Sequence, residues 1–110
     1  GHATTFTAGL LVNSGAAVKV AADGDVEHAT NTDEIPVIGI TEDSKPGTAP
    51  VKVIVNGYYK NTAYSFTPGN AVWLGTGGAI TDVKPTATQV VQIGIAVTAD
   101  TIYINVNRVA

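Results

Sequence analysis

The chain contains neither cysteine nor methionine among its 110 residues. Without thiols it can form no disulfide and no thiolate metal site, so its fold must be held together by packing and backbone hydrogen bonds. A chain of this length corresponds to one domain and can bury roughly two-thirds of the surface of its unfolded state. We therefore expect a single domain with a hydrophobic core and no covalent cross-links.

Charge is also scarce. Asp, Glu, Lys and Arg make up 14% of the chain, against ~25% in an average soluble domain, and the net charge is −3. The cations are scattered: Lys19, Lys45, Lys52, Lys60, Lys84 and Arg108. Binding to nucleic acid needs clustered Lys and Arg that displace counterions from phosphates, so nucleic acid is excluded as a partner. The low charge indicates either a surface partly covered by another chain or an exterior rich in Thr, Asn and Ser.

Long apolar runs are missing as well. No stretch approaches the ~20 apolar residues that span a bilayer, and the start of the chain lacks the basic and apolar regions of a signal peptide. A membrane is therefore not an expected partner. Gly1-His2 resembles the remnant of a cleaved affinity tag, which predicts that the natural chain extends further upstream.

Strand and turn signals dominate what is present. Apolar residues alternate with period two, as in 51–55 and 102–106, and the chain has 12 Gly and 5 Pro. Turn signals separate these runs at Asn13-Ser14-Gly15, Asp23-Gly24, Lys45-Pro46-Gly47, Thr67-Pro68-Gly69, Gly77-Gly78 and Ala99-Asp100. The last two strands are predicted at 90–97 and 101–106. Many short strands with frequent turns are typical of an all-β small barrel or sandwich.

The second half of the chain repeats the first. Gly15 matches Gly69, Gly24 matches Gly78, Val18 matches Val72, Val20 matches Leu74 and Val26 matches Ile80, all at a spacing of 54 (69 − 15 and 78 − 24). "IGIT" at 38–41 matches "IGIA" at 93–96, offset by 55 (93 − 38). "VKVIVN" at 51–56 matches "IYINVN" at 102–107, offset by 51 (102 − 51).

The repeat defines the predicted organisation of the single β domain. An extended N-terminal arm covers 3–12, the first unit 13–57, an aromatic linker 58–67 and the second unit 68–110. One unit has too few strands to bury its apolar face, so the two units must pack together.

The aromatic linker and Trp73 form a candidate surface patch. The residues of this patch are Tyr58, Tyr59, Tyr64 and Trp73. They could plug the core or pair across strands, or they could form a surface that binds a sugar or a subunit.

Residues with catalytic or ligand-binding chemistry are few. His28 has no Ser in a nucleophile-elbow context beside it, so we expect it to be solvated rather than catalytic. "DGDVE" at 23–27 lacks the Gly and Glu positions of a calcium loop, and "GTGG" at 75–78 precedes a strand-like segment, so both predict hairpin turns. We assign no catalytic, metal or cofactor site and expect a protein that is not an enzyme.

The residues of the repeat carry a family resemblance. "PGNAVWLGTGGAITDV" followed by "VVQIGIAVTADTIYINV" resembles the closing segment of bacteriophage capsid decoration (cement) and head-fibre proteins. The matched positions are Gly69, Val72, Gly78, Ile80 and Thr81, then Ile93, Gly94, Ile95, Ala96, Thr101, Ile102, Ile104 and Val106. The resemblance implies a virion protein on the outer surface of the phage head, a homotrimer that contacts the major capsid protein. The resemblance does not distinguish a cement protein from a fibre protein. It also implies that the N-terminal arm docks on the capsid or on a neighbouring subunit.

Candidate contact residues lie in the N-terminal arm and on strands that carry apolar side chains on both faces. Ile54 faces away from Val51, Val53 and Val55, which indicates a strand either sandwiched between two layers or covered by a neighbouring subunit. The candidate subunit or capsid interface is Phe6, Leu10, Ile54 and Tyr103. The alternative function is a carbohydrate-binding module of a phage fibre, in which exposed aromatic rings bind a glycan.

Overall fold

The computed structural model describes residues 2–110; Gly1, half of the predicted tag remnant, lies outside them. These residues form nine strands and contain no helix that could cross a membrane. The strands are β1 (His2–Thr7), β2 (Ala17–Val20), β3 (Val26–His28), β4 (Gly39–Thr41), β5 (Pro50–Lys60), β6 (Ala71–Leu74), β7 (Ile80–Thr81), β8 (Val91–Ala96) and β9 (Thr101–Arg108). The predicted all-β fold is confirmed, and the last two predicted strands match β8 and β9.

Both halves of the chain have the same strand order. The sheet runs β3-β2-β4-β5-β9-β8-β6-β7, so the first unit contributes β3-β2-β4-β5 and the second contributes the equivalent strands in mirrored order. Every pair of neighbours in this path is antiparallel. The β5–β9 ladder joins the units, so the two repeats form one curled sheet with internal two-fold pseudosymmetry.

Ladder registers repeat residue by residue. Val20 pairs with Val26 as Leu74 pairs with Ile80, and Val18 pairs with Gly39 as Val72 pairs with Gly94. Turn hydrogen bonds repeat as well: the Gly15 N–H donates to the Thr41 carbonyl at 2.8 Å, and the Gly69 N–H donates to the Ala96 carbonyl at 2.7 Å.

The last strands of the two units, β5 and β9, correspond at a different spacing in the ladders than in the sequence match. Ile40 pairs with Ile54, and its counterpart Ile95 pairs with Tyr103, so β5 and β9 correspond at a spacing of 49 (103 − 54) rather than 51. The two-residue difference keeps each side chain on the same face, because side chains alternate with period two. At this spacing Asn56 corresponds to Asn105, and the two pair directly on the pseudo-two-fold axis.

The glycines of the two Ile-Gly-Ile segments allow close backbone packing. A Cβ added at Gly39 would collide with the Ile54 carbonyl, and one at Gly94 would collide with the Tyr103 carbonyl. These carbonyls belong to matched residues of β5 and β9. The repeated glycine is therefore explained by a repeated close approach between strands.

The main core lies between the two units. It contains Ala17, Ala29, Val37, Ile40, Ile54, Val72, Leu74, Val91, Ile93, Ala96, Ile102 and Ile104. Ile54 reaches the core from one face of β5, and Tyr59, further along the strand, reaches the same core from the opposite face. The face of β5 that points to the core therefore changes between these two residues. Gly57 lies between them and has a φ of 113°, a conformation that glycine adopts easily. Strands that bend from one sheet to another are common where sheets pack at an angle.

A second apolar cluster lies beneath the N-terminal segment. It contains Ala8, Val12, Val18, Val26, Val51 and Val53. β1 pairs with β5 along Pro50–Asn56, and Val53 and Ile54 pair with β4 as well, so β1 occupies the edge of β5 that β9 uses further along. The predicted arm is thus docked on its own chain, and β5 is sandwiched between two apolar layers.

Hydrogen bonds bring the two ends of the sheet together. The Ala17 N–H donates to the Gly78 carbonyl at 2.9 Å, and the Gly78 N–H donates to the Ala29 carbonyl at 2.7 Å. Nearby, buried Asn31 donates from its backbone to the Gly75 carbonyl at 3.0 Å and from its side chain to the Leu74 carbonyl at 3.1 Å. The sheet therefore curls until the β3 end meets the β6–β7 turn, as in a small barrel.

We expect Gly94→Ala to destabilise the protein by about 3 kcal/mol or more, because the added methyl overpacks a site with no room to relax. Gly47→Ala is the control, since its nearest neighbour, the Gly9 carbonyl, would be 3.4 Å from the new Cβ. Urea unfolding measures both changes. Equal losses for the two variants would contradict the close-approach explanation.

A second prediction concerns the buried Lys19, which is 8% exposed. Its ammonium lies 2.8 Å from the Asp33 carboxylate and 3.7 Å from that of Glu27. The hydrogen bond from Lys19, followed by one from the Ile35 N–H, holds the pKa of Asp33 below its ordinary value. This contribution to stability is present at neutral pH and is lost as the pH falls through the lowered pKa.

Asp33→Asn should therefore lower the free energy of unfolding by about 1 kcal/mol at pH 7, and the difference should vanish in strong acid. Glu34→Gln is the control, because Glu34 is 71% exposed in its 3.2 Å pair with Arg108. Urea unfolding across the acid range measures both variants. A difference for Asp33→Asn that persists unchanged at the lowest pH would refute the assignment to this ion pair.

Candidate functional site

The aromatic residues of the linker separate into an inner and an outer group. Tyr59, Tyr64 and Phe66 pack against the main core. The ring centroids of Tyr59 and Tyr64 are 6.1 Å apart, and those of Tyr64 and Phe66 are 5.0 Å apart. This inner group fills the core between the units, as the first alternative for the linker predicted.

Hydrogen bonds fix the inner tyrosines in place. The Tyr64 hydroxyl donates to the Gly15 carbonyl at 2.8 Å, and the Tyr59 hydroxyl donates to the Glu42 carbonyl at 3.0 Å. Burial raises the pKa of Tyr64 far above its ordinary range, so its phenol stays protonated and remains a donor. Two of the four candidate patch residues therefore have structural roles.

The outer group consists of Tyr58 and Trp73. It lies on the side of the sheet that faces away from the main core. Tyr58 is 68% exposed and meets Tyr103 edge-on, with ring centroids 5.0 Å apart. Trp73 lies on β6 and carries the Lys84 ammonium 5.3 Å from its ring centroid. Of the predicted contact and patch residues, the structure brings Tyr58 and Tyr103 together on this surface.

The ladders arrange this surface in rows. Tyr58 pairs with Tyr103, which pairs with Ile95, which pairs with Ala71, and this series is the apolar row. Beside it run the pair Asn56–Asn105 and the series Asn107–Gln92–Trp73. We call these nine residues the outer face. A groove of about 170 Å³ follows its middle, lined by Gln92, Gly94, Ile95, Tyr103, Asn105 and Asn107.

A second surface is formed by the loop that contains Leu10 and Leu11. These side chains are 64% and 63% exposed, although Ala8 and Val12 on either side of them are completely buried. The Ala8 N–H donates to the Ala49 carbonyl, and Val12 exchanges two backbone hydrogen bonds with Lys45, all at 2.9 Å. The Leu10–Leu11 loop is therefore held rigidly at both ends while its apolar side chains project into solvent.

The four predicted interface residues occupy different environments. Leu10 is exposed, and Tyr103 is half-buried on the outer face. Phe6 is half-buried against the second apolar cluster. Ile54 is 7% exposed and belongs to the main core, so its apolar neighbours come from its own chain.

His28 lines a cleft of about 350 Å³ together with Ser14 and Tyr64. Its Nε2 accepts a hydrogen bond from the Asn13 N–H at 3.2 Å, while the Ser14 hydroxyl accepts one from the Asn61 amide at 3.3 Å. The histidine is thus bonded to backbone rather than aimed at a nucleophile. Between residues 2 and 110, no three His, Asp or Glu side chains are grouped as metal ligands.

The two loops that superficially resembled ligand sites are hairpin turns. Asp23 Oδ1 accepts from the Asp25 N–H at 3.0 Å, and Gly24 has a φ of 87° between β2 and β3. Gly77 and Gly78 have φ values of 59° and 84° between β6 and β7. Both turn predictions are confirmed.

Several residues of these surfaces were missed by sequence reasoning. Leu11 continues the exposure of Leu10, and Ile95 is 46% exposed although its repeat partner Ile40 is buried. Period two already placed Asn105 and Asn107 on the face of Tyr103, which was a usable signal.

No protein-family model, curated protein or solved structure matches the chain.

The structural role of the inner tyrosines gives a prediction. Tyr64→Phe should reduce the free energy of unfolding by about 1 kcal/mol, because it leaves the Gly15 carbonyl without its phenolic donor. Tyr58→Phe, at an exposed position, should have no measurable effect. Thermal or urea unfolding distinguishes them, and equal stability of both variants would show that the Tyr64 hydroxyl is not a structural bond.

Proposed function

We propose that this chain is a non-enzymatic structural protein of a bacteriophage head, a decoration or head-fibre subunit. In this role it assembles as a homotrimer on the outer surface of the virion and contacts the major capsid protein. The resemblance of the second unit to that family suggests the role, and the Leu10–Leu11 loop is the observation that supports it best.

The loop has the properties of an assembly contact. Two adjacent exposed leucines cost solvation free energy in an isolated chain, and burying each against a partner would recover about 1.5–3 kcal/mol. The loop is already fixed by Ala8 and Val12, so little conformational entropy is lost when it binds. A preorganised apolar projection of this kind suits a contact that excludes water from a partner surface.

The composition supports the same role. A chain with 14% charged residues exposes Leu10, Leu11, Val83, Ile95, Val97 and Val109 as large aliphatic side chains. Depletion of charge with retention of apolar side chains distinguishes the centres of protein interfaces from ordinary surface. The loop belongs to the N-terminal segment, which the family resemblance assigned to docking.

The test is the mass of the protein in solution, measured by light scattering after size-exclusion chromatography over a wide concentration range. The wild type should have three times the 11.2 kDa mass of one chain. The double variant Leu10→Ser, Leu11→Ser should shift to the mass of one chain, because the apolar contact is lost.

Val83→Ser is the matched control, because Val83 is at least as exposed as the two leucines, at 71%, but lies in the second unit. It should retain the trimer. A wild type that is monomeric at every concentration would contradict assembly as a constitutive trimer, and a trimer unchanged by the double variant would assign the interface elsewhere.

A further inference from the structure

We propose that the outer face of the second unit binds a neutral oligosaccharide. Tyr58 and Tyr103 would stack on sugar rings, and the amides of Gln92, Asn105 and Asn107 would hydrogen-bond to sugar hydroxyls. This proposal does not rest on the trimeric role proposed above, since the outer face is complete in one chain.

The apolar row supplies a stacking platform. Tyr58 and Tyr103 are neighbours across the β5–β9 ladder, and the row continues through Ile95 to Ala71 on β6. Four adjacent strands place these residues over three interstrand spacings, or about 14 Å. A platform of this length suits an oligosaccharide rather than a single sugar. Tyrosines bury large area at low entropic cost, and their ring faces suit the C–H surfaces of sugars.

The amides beside this row have unused hydrogen-bonding capacity. Asn105 and Asn107 are exposed, and within residues 3–110 neither side chain forms a hydrogen bond. Gln92 donates only to the Gly94 carbonyl, at 3.3 Å. An amide carries both donors and an acceptor, as does a pair of neighbouring hydroxyls, so this row can bond a hydroxyl-rich ligand in either direction.

The repeat shows that the composition of this face is distinctive. The positions in the first unit that match Ala71, Ile95 and Tyr103 are Ala17, Ile40 and Ile54, and all three lie in the main core. In the second unit the same face is open to solvent, yet it keeps apolar side chains and adds tyrosine and amides instead of charges. An ordinary solvated face would have gained Lys, Glu or Asp.

The electrostatics select a neutral ligand. Every side chain of the outer face is uncharged. Charged residues lie at its margins. Lys60 on β5 is 4.0 Å from Asp100, and Arg108 on β9 is 3.2 Å from Glu34. Lys84 lies 5.3 Å from the centroid of the Trp73 ring. A charged glycan would find no cluster of opposite charge here, whereas a neutral one loses little solvation at such a surface.

The amides also argue against a second copy of the chain as the occupant. A protein partner that covered the apolar row would bury four amide side chains, and each one left without a partner would cost about 1–3 kcal/mol. Sugar hydroxyls supply those partners directly or through water.

Trp73 makes the proposal measurable, because it is the single tryptophan of the chain and lies at the edge of the face. Tryptophan fluorescence is followed during titration with cellohexaose, maltohexaose and mannohexaose, three neutral oligosaccharides of different linkage. The expected result is a saturable change with at least one of them. Tyr103→Ala and Asn105→Ala should each weaken that binding, the first by about tenfold or more.

Two controls keep the result interpretable. The variant Leu10→Ser, Leu11→Ser should bind the sugar as the wild type does, which separates this proposal from the assembly role. Asn105→Ala removes only an exposed amide, so it should retain wild-type stability in urea even if Tyr103→Ala does not fold. No saturable change with any of the three oligosaccharides, or equal binding by Asn105→Ala and wild type, would overturn the proposal. Loss of oligomer mass in Tyr103→Ala without sugar would instead assign the face to a second copy.

Discussion

The β5–β9 ladder is the connection on which the core shared by the two units depends. β5 begins in the first unit, where β1 and β4 flank it, and ends in the second, where β9 replaces β1 along the same edge. Each unit alone would leave in water the side chains that it contributes to the main core. The ladder turns the units onto each other and closes one core between them. The symmetry of the strand order follows from this single connection.

This arrangement makes equivalent faces unequal. The core between the units takes Ile40 and Ile54 from one face of the first unit, but Val72 and Ile104 from the opposite face of the second. The other face of the first unit is covered by the N-terminal segment through Ala8 and Val12. The other face of the second unit has no such cover within residues 2–110. A duplicated sequence therefore yields one unit buried on both sides and one that keeps a free sheet face.

Much of this fold was predictable because its determinants are local. Period-two alternation and turn signals located β5, β8 and β9, and the glycines at 24 and 77–78 marked the β2–β3 and β6–β7 hairpins. The sequence match erred by two residues in the last strand, because the alternation of Val and Ile permits any even shift. The alternation predicted that Ile54 is covered, but spacing did not predict that its cover comes from its own chain or that Tyr64 turns inward. These two features depend on the bend at Gly57 and on which unit covers which face, and both are tertiary properties.

The two candidate surfaces differ in a way that bears on their chemistry. The tip of the Leu10–Leu11 loop carries only aliphatic side chains, so binding there displaces water but breaks no side-chain hydrogen bond. The outer face combines rings with amides whose hydrogen bonds must be replaced when water leaves. An apolar protein surface can displace water from the loop, but it cannot replace the hydrogen bonds of the amides on the outer face. A hydroxyl-rich ligand can replace them. Under the two proposals, one duplicated β domain would assemble through its N-terminal segment and bind a glycan with the uncovered face of its second unit.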